Sequence, residues 1–356
     1  MRVLKRIVIW IFISLIMQVS VLTYVDKYLF AAEDVTAIVS KKVTEKNKEE
    51  DSNVMIFVPE DVEHTALSFD GGYISYYKDD MLKVVDTNTG EERSIELEDK
   101  LKVSYYKWAP DRDIMLMAVK KEYNSSAKYV FYSYDAERNK NTKLQTKEGN
   151  ETSIRTEKKS EVDDIELTPF TNMIYVKVSL KGGRSGIYSI NVMKRINKVD
   201  SKAYFIDDMV ILPNDDRIAY GSYARNEIYI TRKNKPITID GVNHLSLISA
   251  DGEDRIYLGE LEDDKVNKVA KIKSIYYGKA EQDTAEWEKI HLSEPINKKD
   301  ICISTEGKIY VNDNLKGIVT EVNSKKETEY KGLFMQMYDG GIASVSNGKL
   351  VKTTLK

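Results

Sequence analysis

The chain has 356 residues with 54 Lys and Arg against 57 Asp and Glu, a near balance that lacks the basic excess of a nucleic-acid binder. A single cysteine, Cys302, rules out a disulfide within the chain and a lipid-modified N-terminal cysteine, so an exported domain must be stabilised by its core. Tyrosine, at 23 residues, recurs in runs such as ISYY, VSYY and SIYY that favour pleated, half-buried surfaces.

Ile7 to Val25 carry no charge, and 19 residues at about 1.5 Å rise make a helix of about 28 Å, enough to cross the hydrocarbon core of a bilayer. Arg2, Lys5 and Arg6 precede this run and Asp26 follows it, which predicts a cytoplasmic end at residues 1–6 and an exported remainder. A cleaved signal peptide fits less well. Cleavage after Ala31 or Ala32 would put bulky Leu29 or Phe30 where a small residue is needed. The expectation is a single-pass signal anchor at 7–25 in the cell membrane. Residues 26–53 end in the mixed-charge run KKVTEKNKEEDSN and read as a stalk that cannot form a core.

From Val54 to Lys356 one pattern recurs: a turn signal, an apolar strand, a polar connection and a second strand. The clearest copy is Ser68 to Ile95, with a turn at Asp70-Gly71-Gly72, a strand from Tyr73 to Tyr77, a hairpin at Lys78 to Asp80 and a strand from Leu82 to Val85. Further copies start at Trp108-Ala109-Pro110-Asp111, Thr168-Pro169, Pro213-Asn214-Asp215, Asp251-Gly252, Glu306-Gly307 and Asp339-Gly340-Gly341. A period of about 40 residues with four short strands per unit predicts an all-β fold, a β-propeller of seven blades, with six as the alternative. Gln145 to Asp164 reads as a charged insertion, and Lys271 to Trp287 as a longer outer hairpin. The last unit offers three strands, and Val54 to Val58 would complete it and close the ring.

The phrases KWAPDRDIMLMA and SFDGGYISYYKDDMLKVVDTNTGE resemble the WD40-like propeller repeat of the periplasmic translocation protein TolB and of prolyl-oligopeptidase-type peptidases. Trp108, Pro110, Asp111 and Ile114 match its W-S-P-D-G-K-x-I-A-F pattern; Ala109 and Arg112 depart from it. The resemblance implies a binding or scaffolding surface. In the peptidases catalysis comes from a separate α/β-hydrolase domain, which Val54 to Lys356 does not resemble.

The sequence offers no catalytic constellation. The nearest string to a nucleophile elbow, Gly182-Gly183-Arg184-Ser185-Gly186, has the wrong spacing and reads as a hairpin. His64, His244 and His291 fall in different repeats, and Cys302 stands between two isoleucines, so neither a triad nor a metal site is indicated. Asp79-Asp80, Asp163-Asp164, Asp207-Asp208, Asp215-Asp216 and Glu262-Asp263-Asp264 read for the most part as turn residues and solvated corners rather than calcium ligands. No cofactor is expected, and binding residues are not identifiable. The reading that results is a membrane-tethered, extracytoplasmic, non-catalytic module for a protein, peptide or envelope polymer. The alternatives are a propeller hydrolase or lyase acting on an extracellular polysaccharide or peptide, and a sensor that needs a membrane partner.

Overall fold

The computed structural model describes Arg6, Trp10 and residues 12–22, 54–98, 101–169, 172–262 and 271–356. It divides into two units, Met1–Glu49 and Glu50–Lys356. In the first, residues 12–22 are helical. No helix among the described residues is long and apolar enough to cross a membrane. The predicted span at 7–25 lies partly, and the predicted stalk at 26–53 wholly, outside the described residues.

The second unit is built from antiparallel sheets in chain order. The first contains β1 (Glu63–Leu67), β2 (Tyr73–Lys78), β3 (Met81–Asp86) and β4 (Glu92–Ser94). The second contains β5 (Val103–Trp108), β6 (Ile114–Glu122), β7 (Ser126–Asp135), β8 (Lys140–Lys143) and β9 (Ser153–Glu157). The third has β10 (Glu161–Leu167), β11 (Ile174–Ser179), β12 (Ser185–Ile190) and β13 (Ile196–Lys198), and the fourth β14 (Ile206–Leu212), β15 (Asp215–Ser222) and β16 (Glu227–Ile230). The fifth has β17 (Leu245–Ala250), β18 (Arg255–Leu261), β19 (Lys271–Lys279) and β20 (Glu288–Asn297). The sixth has β21 (Ile301–Ile303), β22 (Ile309–Asp313), β23 (Ile318–Glu321) and β24 (Glu327–Glu329), and the seventh β25 (Leu333–Tyr338), β26 (Gly341–Ser346) and β27 (Lys349–Thr354).

Neighbouring sheets meet through their first strands, β1 beside β5, β5 beside β10, β10 beside β14, β14 beside β17 and β17 beside β21, while β25 returns to β1. The result is a seven-bladed ring whose first strands line the axis. Its core is not central. Seven buried clusters occupy the seams instead, as where Leu82 and Val84 of the first blade meet Trp108, Met115 and Met117 of the second. Each sheet is therefore apolar on both faces, which is why its middle strand reads as a continuous apolar run such as IMLMAV.

Val54 to Val58 does complete the last blade. Val58 N–H donates to Gly348 O at 2.8 Å, Leu350 N–H to Ile56 O at 2.9 Å, and Phe57 bridges Lys349. Ile56 and Val58 are 5% and 7% exposed and pack with Leu67, Ile74 and Tyr76 of the first blade, so one segment joins the two ends of the domain.

The reading of Gln145 to Asp164 as an insertion is corrected. β7 is ten residues long and β8 only four, so the Ser126 to Val130 edge of β7 would be left unpaired; β9 pairs with it. The charge is structural here too, since Glu151 accepts ion pairs from both Lys128 and Lys143. The expected hairpins at Lys78 to Asp80 and at Lys271 to Trp287 are present. At the first, Asp79 and Asp80 have φ of 51° and 63°, the left-handed pair that a two-residue type I′ turn requires.

Candidate functional site

Each repeated turn joins the first and second strands of its blade, so all of these turns gather on one face, termed lower, opposite the upper face where the first strands begin. On the lower face several of these turns are tied to the neighbouring blade. Asp339 N–H donates to Phe69 O at 2.8 Å, Arg112 Nη2 to Pro169 O at 3.0 Å, Asn214 N–H to Asp254 Oδ1 at 2.9 Å and Gly252 N–H to Thr305 O at 2.8 Å. Tyr175 Oη donates to Asp216 O at 2.7 Å across the seam between blades three and four. Trp108 Nε1 donates to Ser75 Oγ at 2.8 Å, tying the motif tryptophan of blade two to blade one. Asp113 hydrogen-bonds Asp70 and Ser68, and burial together with the Asp70 charge pushes its carboxyl up to about 7. The motif residues thus hold the ring together.

Unlike charges also face one another along the ring. Lys107 of β5 reaches Glu166 at 2.6 Å and Asp164 at 3.4 Å on β10. Lys177 pairs with Asp163 at 3.6 Å and donates to the main-chain oxygen of Asp207, and Lys298 pairs with Asp208 from beyond blade five. Lys107, Asp164 and Glu166 keep 37%, 17% and 18% of their side-chain surface. Burial disfavours the Lys107 ammonium, yet Glu166 and Asp164 more than reverse this and hold its pKa above the ordinary value. Burial and the Asp164 charge raise Glu166 above the carboxylate range despite Lys107.

Asp163-Asp164 and Asp207-Asp208 are therefore not turn residues, as the sequence led us to expect. They lie on β10 and β14 where the register slips, between Val162 and Asp164 and between Ile206 and Met209. A bulge adds a residue and turns side chains out of the alternating pattern, so neighbouring acids can point away from the seams. Asp79-Asp80 are in the turn as expected.

Among the described residues, two charged clefts open on the upper face. One, of about 590 Å³ between blades four and five, is lined by Asp207, Asp208, Ser222, Asn226, Leu245 and Lys298 among others. The other, of about 360 Å³ between blades one and two, is lined by Asp61, Glu63, His64, Asp79, Asp80 and Lys102 among others. His64 sits there with φ of 51°, its ring edge-on to Tyr77 at 5.8 Å.

His244 and His291, assigned to different repeats by sequence, belong to one blade, since His244 immediately precedes β17 and His291 lies in β20. His291 Nδ1 is 3.1 Å from Ser274 Oγ, but Ser274 is 2% exposed and its other side-chain partner is Glu260. The carboxylate stands behind the serine rather than the histidine, the reverse of a nucleophilic triad. Cys302 is half-buried against the seam between blades six and seven, and burial pushes its thiol up to about 11. Gly182 and Gly183 form the β11–β12 turn with φ of 82° and 78°, so Ser185 is no elbow nucleophile. The largest buried tyrosines have hydroxyl partners, as with Tyr76 on Glu92 at 2.9 Å and Tyr257 on Asp251 at 2.8 Å.

No family model and no curated protein sequence matches the chain. Solved structures do. A chain from the crystal structure of the mitotic checkpoint complex aligns with a TM-score of 0.52 at 10% identity, covering 85% of this chain and 93% of that one. The β-propeller domain of Myceliophteria thermophila Cps50 (Swd1) aligns with a TM-score of 0.50 at 11% identity, covering 84% of this chain and 100% of that one. The fold is a seven-bladed, WD40-like β-propeller. Identities this low carry the fold alone.

Proposed function

We propose that this protein is a membrane-tethered, extracytoplasmic propeller that binds a protein, peptide or envelope polymer without transforming it. The observation that carries this reading is the difference between the two faces: the motif turns are consumed in ties between blades below, whereas the upper face leaves two charged clefts open. Loops on a rigid scaffold that are not needed to hold it together are where recognition residues accumulate. The tether is supported by residues 12–22, which are helical with Phe12, Ile16, Met17 and Leu22 60% to 70% exposed, as suits lipid rather than water. The TolB-like repeat pattern and the basic flank of the apolar run support export.

A photoreactive residue at Asp79 or Tyr223 on the upper face should give a discrete adduct in whole cells, and one at exposed Val192, in the β12–β13 turn of the lower face, should not. The protein should stay in the membrane fraction through alkaline carbonate washing. Release by carbonate overturns the tether, and adducts independent of position overturn the binding face.

One observation favours a second reading, a polysaccharide hydrolase or lyase. Glu166, raised above the carboxylate range beside Asp164, has the character of a general acid. Lys107 fills the space between them, which favours a structural ion cluster. Turnover of an envelope glycan that disappears in Glu166→Gln would establish the enzyme and overturn the binding module.

A further inference from the structure

Among the described tyrosines only Tyr123, Tyr204 and Tyr223 are exposed, and two of the three lie together on the upper face, at the seam between blades three and four. There the β11–β12 turn, the β15–β16 turn and the connection from β13 to β14 meet. Tyr223 is 49% exposed yet held at both ends. Its N–H donates to Phe205 O at 3.2 Å, its Oη donates to Gly183 O at 3.1 Å, and its ring meets that of Phe205 at 5.6 Å and 68°. The contact requires glycine at 183, where φ is 78° and a Cβ would stand 2.9 Å from Tyr223 Oη. Tyr204, 73% exposed, is pinned through its carbonyl, which accepts the Ser185 N–H at 2.7 Å. Rings fixed in this way lose little further freedom on binding, and with its hydroxyl engaged Tyr223 offers a ligand its ring face.

Charge decides what these faces can take. The three segments carry Lys181, Arg184, Lys202 and Arg225 against Asp200 alone. The carboxylates that reach them are already engaged, Asp200 by Lys202 at 2.8 Å, Glu227 by Arg225 at 3.7 Å and Glu157 by the Lys181 N–H. Asp207 lies across Gly221 of β15, where a Cβ would stand 2.4 Å from its Oδ1, and lines the cleft between blades four and five instead. Lys181 and Arg184 are exposed, and no carboxylate pairs with either among the described residues. Two unpaired cations repel a cationic ligand and attract an anionic one. A pyranose ring presents a flat C–H face to a tyrosine ring and keeps its hydroxyls in water. In a uronic acid it also carries a carboxylate, which the planar guanidinium of an arginine takes bidentately. A glutamyl peptide brings the carboxylate without the flat apolar face beside it.

We infer that this seam binds an acidic polysaccharide, stacking uronic acid rings on Tyr223 and Tyr204 with a carboxylate on Arg184. Lys181, on the same turn, meets the charge of a neighbouring sugar, so a run of acidic residues binds better than one. The inference rests on the upper face being the binding face and selects the envelope polymer from the ligands proposed for it.

The test uses the full chain in detergent micelles and trigalacturonate, with neutral chitotriose and the equally charged peptide acetyl-Glu-Glu-Glu-amide as controls, measured calorimetrically at low salt. Trigalacturonate should bind at least about tenfold more tightly than either control, the scale of one charge-assisted contact, and its affinity should fall as salt is added. Arg184→Gln, at an exposed side chain, should remove the preference over chitotriose without lowering the melting temperature. Tyr223→Leu should remove the preference over the peptide, Tyr223→Phe should keep it, and Gly183→Ala, which displaces Tyr223, should weaken it. Equal binding of the three probes, no trigalacturonate binding at millimolar concentration, or a preference that survives both Arg184→Gln and Tyr223→Leu would overturn the inference. Tighter binding of the peptide would assign the seam to an acidic protein partner and overturn it as well. If adducts still form at Asp79 while none of the probes binds, the sugar site fails and the binding face stands.

Discussion

Asp113→Asn should stabilise the domain at pH 8 and leave it nearly unchanged at pH 4. Asp113 hydrogen-bonds Asp70 across the seam between blades one and two, one of its oxygens has no partner, and Glu137 adds further negative charge. Its carboxyl rises from 3.8 to about 7 on folding. A raised folded pKa means that the folded state holds the proton more tightly than the unfolded state. The stabilisation is complete below about pH 4 and is lost as pH climbs through about 7. About three units at roughly 1.4 kcal/mol each set a ceiling near 4 kcal/mol. Asp113 is only half-buried, so solvent screening reduces this to about 2 kcal/mol. Asparagine keeps a donor for Asp70 and removes the titration. Urea unfolding of both proteins at pH 4, 6 and 8, followed by fluorescence of Trp108 and Trp287, measures the difference, in which other titrating groups cancel. A stability difference that is constant across pH, or a variant less stable at pH 8, refutes the shared-proton account.

Ile56→Ala should lower stability by about 2–5 kcal/mol, because the side chain fills the seam that closes the ring; deletion of residues 54–58 should destabilise further, and an unchanged urea midpoint would disprove closure by this segment. Trp108→Phe keeps the stack on Tyr73, at 6.2 Å, but loses the bond to Ser75, so it should cost about 1 kcal/mol or more, read from the same unfolding curves. Asp79→Asn with Asp80→Gly should raise stability by up to about 1 kcal/mol, since glycine occupies the left-handed region without strain and the exposed Lys102–Asp80 pair contributes little. A loss of stability in that double variant would show that the Asp80 pair outweighs the backbone strain.

The repeat was legible because the residues that make it are constrained locally. A turn that needs left-handed or capped backbone calls for Asp, Asn or Gly, and a strand buried on both faces calls for an apolar run, so Asp70-Gly71-Gly72 and IMLMAV stand out in one dimension. Those same properties gave the blade count and the role of Val54 to Val58, whose apolar character had no local partner. The charges were not legible. Whether an Asp-Asp pair lies in a turn or on an inner strand depends on a bulge, and a bulge is set by how the partner strand packs rather than by the acids themselves. Asp79-Asp80 and Asp207-Asp208 look alike in sequence and do opposite things.

By itself the sequence determined an all-β ring, its closing segment Val54 to Val58 and its apolar N-terminal run, because burial and turn geometry act on neighbours along the chain. Only the tertiary structure decided which face is stitched shut, which acids are neutralised by lysines from other blades, and where Asp207 is left open beside Gly221. Those outcomes arise from contacts between residues tens of positions apart, where the sign and reach of a charge matter and its place in the sequence does not.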